Sequence, residues 1–163
     1  IWNRHFLDSA QVIDFINKNE CKLVDLGSGA GFPGIVIAIL AKDRKIPIKI
    51  NLIDKSPKKI KFLKDVIQML SLNAEAITQN ILDDKTRLKE ELIIARAFKP
   101  LELILQLIHK KADNWEKIFL FQGKSGQKEL LQASKSWDIK YKQRVSITSS
   151  DSLVIEINEL KKK

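Results

Sequence analysis

The sequence has a single cysteine, Cys21, among 163 residues. A lone thiol closes no internal disulfide, so the fold must be held by its core, and a reducing cytoplasm is the expected compartment. No apolar run approaches the roughly 20 residues that cross a bilayer as a helix, so no membrane contact is expected. The opening residues Ile1-Trp2-Asn3-Arg4-His5 lack an initiator methionine and the charged-then-apolar layout of a secretory signal. They are the start expected of a trimmed chain. Internal repeats, low-complexity tracts and interdomain linkers are also missing, which leaves one domain over residues 1–163. That length can bury a substantial core and is short for two ordinary domains.

What is present is an apolar share of 44% and a charged share of 30%, the balance of a folded soluble protein. Lys and Arg outnumber Asp and Glu by 29 to 20, a net charge of +9. Nine basic residues (Lys42, Arg44, Lys45, Lys49, Lys55, Lys58, Lys59, Lys61, Lys64) crowd one stretch against only Asp43 and Asp54. Such a stretch is either a solvated lysine-rich face or an attractor of a polyanion through phosphate contacts.

The patterning alternates strand and helix. Leu23-Val24-Asp25-Leu26 reads as a short buried strand, followed by a glycine cluster and a helix carrying Ile35, Val36, Ala38, Ile39 and Leu40. Residues 48–54 form a second strand ending on Asp54. Ser56-Pro57 caps a helix with Ile60, Leu63, Ile67 and Leu70 at helical spacing, ending near Asn73. Strands are expected over 74–79, 92–98 and 117–122, a loop over 80–90, and helices after Pro100 and over 127–136. Residues 139–148 and 152–158 pair as a final antiparallel hairpin. The order predicts a doubly wound α/β sheet, mostly parallel, with helices on both faces. Ligands of such sheets bind beyond the carboxyl ends of the strands, where the glycine cluster, Asp54 and Arg96 fall.

Gly29-Ala30-Gly31-Phe32-Pro33-Gly34 matches the dinucleotide fingerprint G-x-G-x-x-G. Asp25 argues for a different ligand. A carboxylate two residues before Gly27 sits poorly beside a pyrophosphate and well beside the cationic end of S-adenosylmethionine. No Gly-Lys-Ser or Gly-Lys-Thr follows the loop, against a P-loop. The cofactor reading therefore takes Asp25, Gly27, Gly29 and Gly31, with Asp54 accepting from ribose hydroxyls. Phe32 either walls the pocket or covers the top of the sheet. Arg96 interrupts a buried strand and must be paired, with a cofactor or substrate group or with a carboxylate such as Asp25. Arg4 and His5 are either substrate contacts or a helix-terminal surface pair, and His109 reads as a C-terminal helix cap.

Three segments together carry a family resemblance: Trp2-Asn3-Arg4-His5-Phe6-Leu7-Asp8-Ser9, Asp25-Leu26-Gly27-Ser28-Gly29-Ala30-Gly31-Phe32-Pro33-Gly34, and Arg96-Ala97-Phe98. In this order and spacing the chain resembles, over its whole length, the bacterial small-subunit ribosomal RNA guanine-N7 methyltransferases of the RsmG family, formerly GidB. The resemblance implies a Rossmann-like class I methyltransferase fold with a seven-stranded sheet. It implies S-adenosylmethionine held by Gly27, Phe32, the backbone around Ile81 and Leu82, and Arg96. It implies one guanine of 16S rRNA as acceptor, in the rRNA or the 30S subunit, and a monomer acting on it. It also implies an N-terminal helical region, of which residues 1–20 are the remnant. Where the family commonly has Lys-Gly after the fifth strand, this chain has Gln122-Gly123-Lys124, so a phosphate contact there would fall to Lys124.

Acceptor chemistry agrees with the resemblance. Guanine N7 carries an in-plane lone pair and no proton, so its attack needs no general base, and the sequence offers no catalytic base, nucleophile or metal constellation. Cys21 lacks the strand-end setting of a nucleophilic cysteine. The Asn/Asp-Pro-Pro-aromatic box of amino-group methylation is replaced by Arg96-Ala97-Phe98-Lys99-Pro100. The alternatives are a noncatalytic RNA-binding or ribosome-assembly protein that keeps this fold, and a methyltransferase acting on a small molecule or protein.

Overall fold

A computed structural model describes residues 2–16, 22–96, 98–146 and 151–163, with side chains from Phe6 onward. Cys21 and the side chains of Arg4 and His5 lie outside the described residues. The elements run α1 Trp2–Ile13, β1 Lys22–Leu26, α2 Gly34–Asp43, β2 Lys49–Asp54, α3 Pro57–Leu70, β3 Ala74–Thr78 and β4 Leu92–Arg96. They continue α4 Leu101–Lys111, β5 Lys117–Gln122, α5 Gly126–Ala133, β6 Trp137–Val145 and β7 Leu153–Lys162. Among the described residues no helix is long and apolar enough to cross a membrane.

The strands form one seven-stranded sheet in the order β3-β2-β1-β4-β5-β7-β6. Pairings from β3 through β5 are parallel. β7 runs antiparallel between β5 and β6, which places the expected C-terminal hairpin at one edge. Successive strand residues point to opposite faces, so one strand feeds two cores. Leu23, Leu92 and Ile94 join Ile37, Ile60 and Leu63 beneath α1, α2 and α3. Val24, Ile93 and Ala95 join Ile104, Ile108 and Leu130 beneath α4 and α5. The residues 92–95 are buried throughout, as a strand covered on both faces requires.

Several boundaries differ from the sequence reading, each for a local reason. α3 stops at Leu70 because Ser71 adopts the left-handed conformation and returns its N–H to Gln68 and Ile67. Asn73 instead donates its side-chain amide to the Ile48 carbonyl, opening β3. β4 ends at Arg96, and Phe98 leaves the sheet to lie against Gly27. The hairpin reaches further than expected, since Trp137 and Leu160 are buried and lie in its paired strands.

β3 and β4 are joined by residues 79–91, within which no helix forms. Long irregular connections of this kind are usually functional. This one lies at the carboxyl edge of the sheet, beside the loop that leaves β1.

Candidate cofactor site

At the end of β1 the chain turns through residues 27–33 into α2. Gly27, Gly29 and Gly31 have φ of 69°, 58° and 97°, values that side chains rarely adopt. Gly27 is doubly restricted, since a Cβ there would stand 3.0 Å from Phe98 Cγ. The ring of Phe98 therefore closes on the bare backbone of the loop.

Asp54, the last residue of β2, ties this loop to the next. Gly29 donates its N–H to Asp54 Oδ2 at 3.0 Å and Ser56 donates its N–H to Oδ1 at 2.9 Å. Each carboxylate oxygen has room for a second donor. Asp54 also lines a cavity of about 230 Å³. Its apolar lining is Ile53, Ile81, Leu82 and Phe98, its polar lining includes Gln79 and Asn80, and Lys55, Lys59 and Lys99 complete it with Gly27. Among the described residues no histidine, cysteine or glutamate lines it.

The stretch 79–88 is shaped by side chains rather than by glycine. Asn80 Oδ1 accepts from Leu82 N–H, Thr86 Oγ1 donates to the Asn80 carbonyl, and Gln79 Nε2 donates to Thr86 Oγ1. Beneath it Lys111, 1% exposed, donates its ammonium to the Asp83 carbonyl. The Lys111 carbonyl accepts from Leu88 N–H. One lysine in the last turn of α4 thus holds the chain at Asp83 and at Leu88, just after Ile81 and Leu82.

Asp25 occupies a different place from the one expected. The sequence reading set its carboxylate beside a cofactor cation; the structure buries it, 1% exposed, outside the cavity lining. Its Oδ2 accepts the Gly34 N–H at 3.0 Å, at the start of α2. Burial pushes the carboxyl up to about 7, against the opposing pull of the Gly34 N–H, the Ser28 hydroxyl and the Arg96 guanidinium. Gly34 is required by this packing, because a Cβ would lie 2.2 Å from Leu52 Cδ2 and 2.5 Å from Asp25 Oδ2. Arg96 is half-buried, with its guanidinium carbon 5.0 Å from the centre of the Phe121 ring. Both features are on the α1–α3 face, so Arg96 senses Asp25 electrostatically and does not line the cavity.

Of the remaining expected residues, Ile81 and Leu82 line the cavity, and Gly29 and Gly31 shape the loop outside its lining. Phe32 also lies outside, its ring edge-on to Phe6 of α1 at 5.4 Å. Lys124 is exposed and 3.5 Å from Asp151. Arg4 and His5 have their backbone in α1. His109 meets the Trp137 ring edge-on at 5.1 Å. Ile53, Lys55, Lys59, Gln79, Asn80, Phe98 and Lys99 were missed as lining residues. Phe98 had a signal in Arg96-Ala97-Phe98, and Lys55 and Lys59 in the basic stretch. Among the described residues no group of three metal-ligating side chains occurs.

Strand order, glycine turn, strand-end acid and adjacent cavity together define the fold of the class I S-adenosylmethionine-dependent methyltransferases. A TehB-like methyltransferase from Corynebacterium glutamicum superposes with a TM-score of 0.67 at 18% identity, over 93% of this chain and 87% of that one. TrmK of M. capricolum, solved with S-adenosylhomocysteine, gives a TM-score of 0.67 at 18% identity, over 92% and 66%. The family model described as GidB, rRNA small subunit methyltransferase G, matches residues 1–156, and the chain belongs to that family. The ribosomal RNA small subunit methyltransferase G of Pelagibacter ubique is 41% identical over 100% of this chain and 76% of the relative. That of Rickettsia bellii is 37% identical over 99% and 80%.

Proposed function

We propose that the protein transfers the methyl group of S-adenosylmethionine to N7 of one guanine of 16S rRNA, acting as a monomer in the cytoplasm on the rRNA or the 30S subunit. The observation that carries this is the cavity shared by Gly27, Asp54 and the Ile81–Leu82 turn in a chain of this family. Its volume of about 230 Å³ lies below the roughly 300–1,000 Å³ of pockets that enclose whole drug-sized ligands. It suits a nucleoside moiety. Asp54 retains acceptor capacity for the ribose hydroxyls, while Ile53, Ile81, Leu82 and Phe98 offer apolar surface to the adenine. Gly27, Gly29 and Gly31 let the backbone approach the ligand, and Asp25 acts through the loop by fixing the start of α2.

When bound, S-adenosylmethionine supplies a methyl on sulfonium sulfur; the C–S bond breaks as the N7–C bond forms, and sulfur keeps the electron pair. The chain's own work is alignment. Guanine N7 has no proton to lose, and among the described residues the only carboxylate lining the cavity is Asp54, whose oxygens already accept two backbone N–H groups. Holding two reactants in attack geometry is worth about 7 to 11 kcal/mol. Arg96, Arg4 and His5 serve the acceptor side and Lys124 a phosphate, while Phe32, packed on Phe6, holds the glycine loop on the cofactor side.

Labelled S-adenosylmethionine and unmethylated 30S subunits test the proposal, with N7-methylguanosine mapped in the 16S rRNA. One labelled guanine is expected. Cofactor binding by calorimetry without transfer to any rRNA would move the acceptor to a small molecule or protein. A well-folded protein that binds rRNA and no cofactor would be the noncatalytic alternative.

A further inference from the structure

Helix electrostatics favour acids at the N-terminus and bases at the C-terminus. α4 follows the rule, with Glu102 in its first turn and His109, Lys110 and Lys111 in its last, and α5 starts with Glu129. α3 breaks it. Its first turn has no acid and its last no base, while Lys58, Lys59 and Lys61 crowd its beginning, with Lys55 just before and Lys64 one turn on. Like charges three and four residues apart, at the positive end of the dipole, weaken a helix. Folding alone would not favour this arrangement.

The basic stretch separates into two parts in space. Arg44 pairs with Asp14, Lys49 with Glu75, and Lys42 donates to the Leu70 carbonyl at the end of α3. These cations are committed to the fold. From Lys55 onward the picture changes: Lys55, Lys58, Lys59, Lys61 and Lys64 are all exposed. Among the described residues none of their ammonium groups forms an ion pair. Phe62 stands among them with 53% of its surface in water. Lys55 and Lys59 also line the cofactor cavity, where Lys99 joins them from the segment after β4.

We infer that the first two turns of α3, with Lys55 and Lys99, form the surface that docks the phosphates flanking the acceptor guanine, and that Phe62 stacks on an unpaired base. The inference rests on the rRNA reading above and names the face on which the RNA lies. Cations without protein partners suit phosphates, whose counterions they displace. An exposed ring beside them suits a splayed-out base. Continuity with the cavity lets the same backbone present its guanine to the methyl group.

The test is the pair Lys58→Glu with Lys61→Glu, two lysines outside the cavity lining, with Phe62→Ala separately. For the double variant KM for the 30S subunit should rise about tenfold, and the salt slope of rRNA binding should become shallower by about 1 to 2. Phe62→Ala should weaken rRNA binding about tenfold at an unchanged slope. Calorimetry should give wild-type affinity for S-adenosylmethionine in all variants. The thermal midpoint of the double variant should stay or rise, because acids replace bases at a helix start. That rules out misfolding as the cause of weaker binding. Lys140→Glu with Lys142→Glu, on the distant β6, should leave KM near the wild-type value. If the wild type methylates rRNA and the α3 variants do so with unchanged KM and slope, the surface is wrong and the function stands. If the wild type neither binds nor methylates rRNA, both fall.

Discussion

Two loops meet at the candidate cofactor cavity, and they are built on opposite principles. Residues 27–33 take their shape from the backbone, with three glycines at positive φ and a fourth, Gly34, where no side chain fits. Residues 79–88 contain no glycine. Their shape comes from Asn80, Thr86 and Gln79 bonding to one another and to the chain, above a buried lysine. The first loop is a conformational choice written locally; the second is a polar network whose anchor is contributed from α4. One should fail by steric clash and the other by loosening.

Gly34→Ala should break the first loop most severely. A methyl group 2.2 Å from Leu52 Cδ2 forces β2 and α2 apart, costing about 3 kcal/mol in urea unfolding and abolishing cofactor binding. A variant of wild-type stability would show that the junction yields.

Asp25→Asn tests the same junction by pH. The native carboxyl is raised from 3.8 to about 7, so the fold holds a proton that the unfolded chain releases. That stabilisation is complete below the unfolded value and is lost as pH rises toward the folded one. Relative to the Asn variant, wild type should lose up to about 1.4 kcal/mol per pH unit across this window. Parallel stability curves would mean that Asp25 is ordinary.

Lys111→Met should loosen the second loop and spare the first. The Asp83 carbonyl keeps the Thr86 N–H, so the loss is that of one hydrogen bond from a charged donor, about 1.5 to 3 kcal/mol. Hydrogen exchange should accelerate over residues 80–88, and the Kd for S-adenosylmethionine should rise about tenfold. Unchanged exchange there would remove Lys111 from its anchoring role. Asp84→Asn should do least. The Lys110 ammonium holds the Asp84 carboxyl below its ordinary range, but the pair stands in solvent. Its loss should leave both the thermal midpoint and cofactor affinity unchanged.

The contrast also explains what could be read in advance. The alternation of strands and helices, the glycine turn and the strand-end position of Asp54 were legible because periodicity and glycine spacing are local properties. Asp25 was recognised as important and misplaced, since a sequence does not say whether a strand residue faces a ligand or the start of the next helix. Lys111 was hidden by its type and position, because a lysine ending a helix ordinarily points to water. The charge of the Lys42–Lys64 stretch was legible as a sum. Its partition was not, because Asp14 and Glu75, which neutralise Arg44 and Lys49, lie 30 and 26 residues away. Ile81 and Leu82 were named only through the family resemblance.

The first helical segment is fastened to the end of β6, far along the chain. Asp8 accepts from the Ser146 hydroxyl across 138 residues, Gln11 donates to the Val145 carbonyl, and the Arg144 guanidinium lies 3.5 Å from the centre of the Phe15 ring. During synthesis, therefore, α1 is made well before β6 and waits for it before it can dock fully. Contacts of such separation are made late in folding. Since Phe6 of that helix touches Phe32, the packing around the glycine loop is completed only after β6 has been made. A nascent chain halted before residue 144 should expose α1 to rapid hydrogen exchange while the parallel strands are already protected.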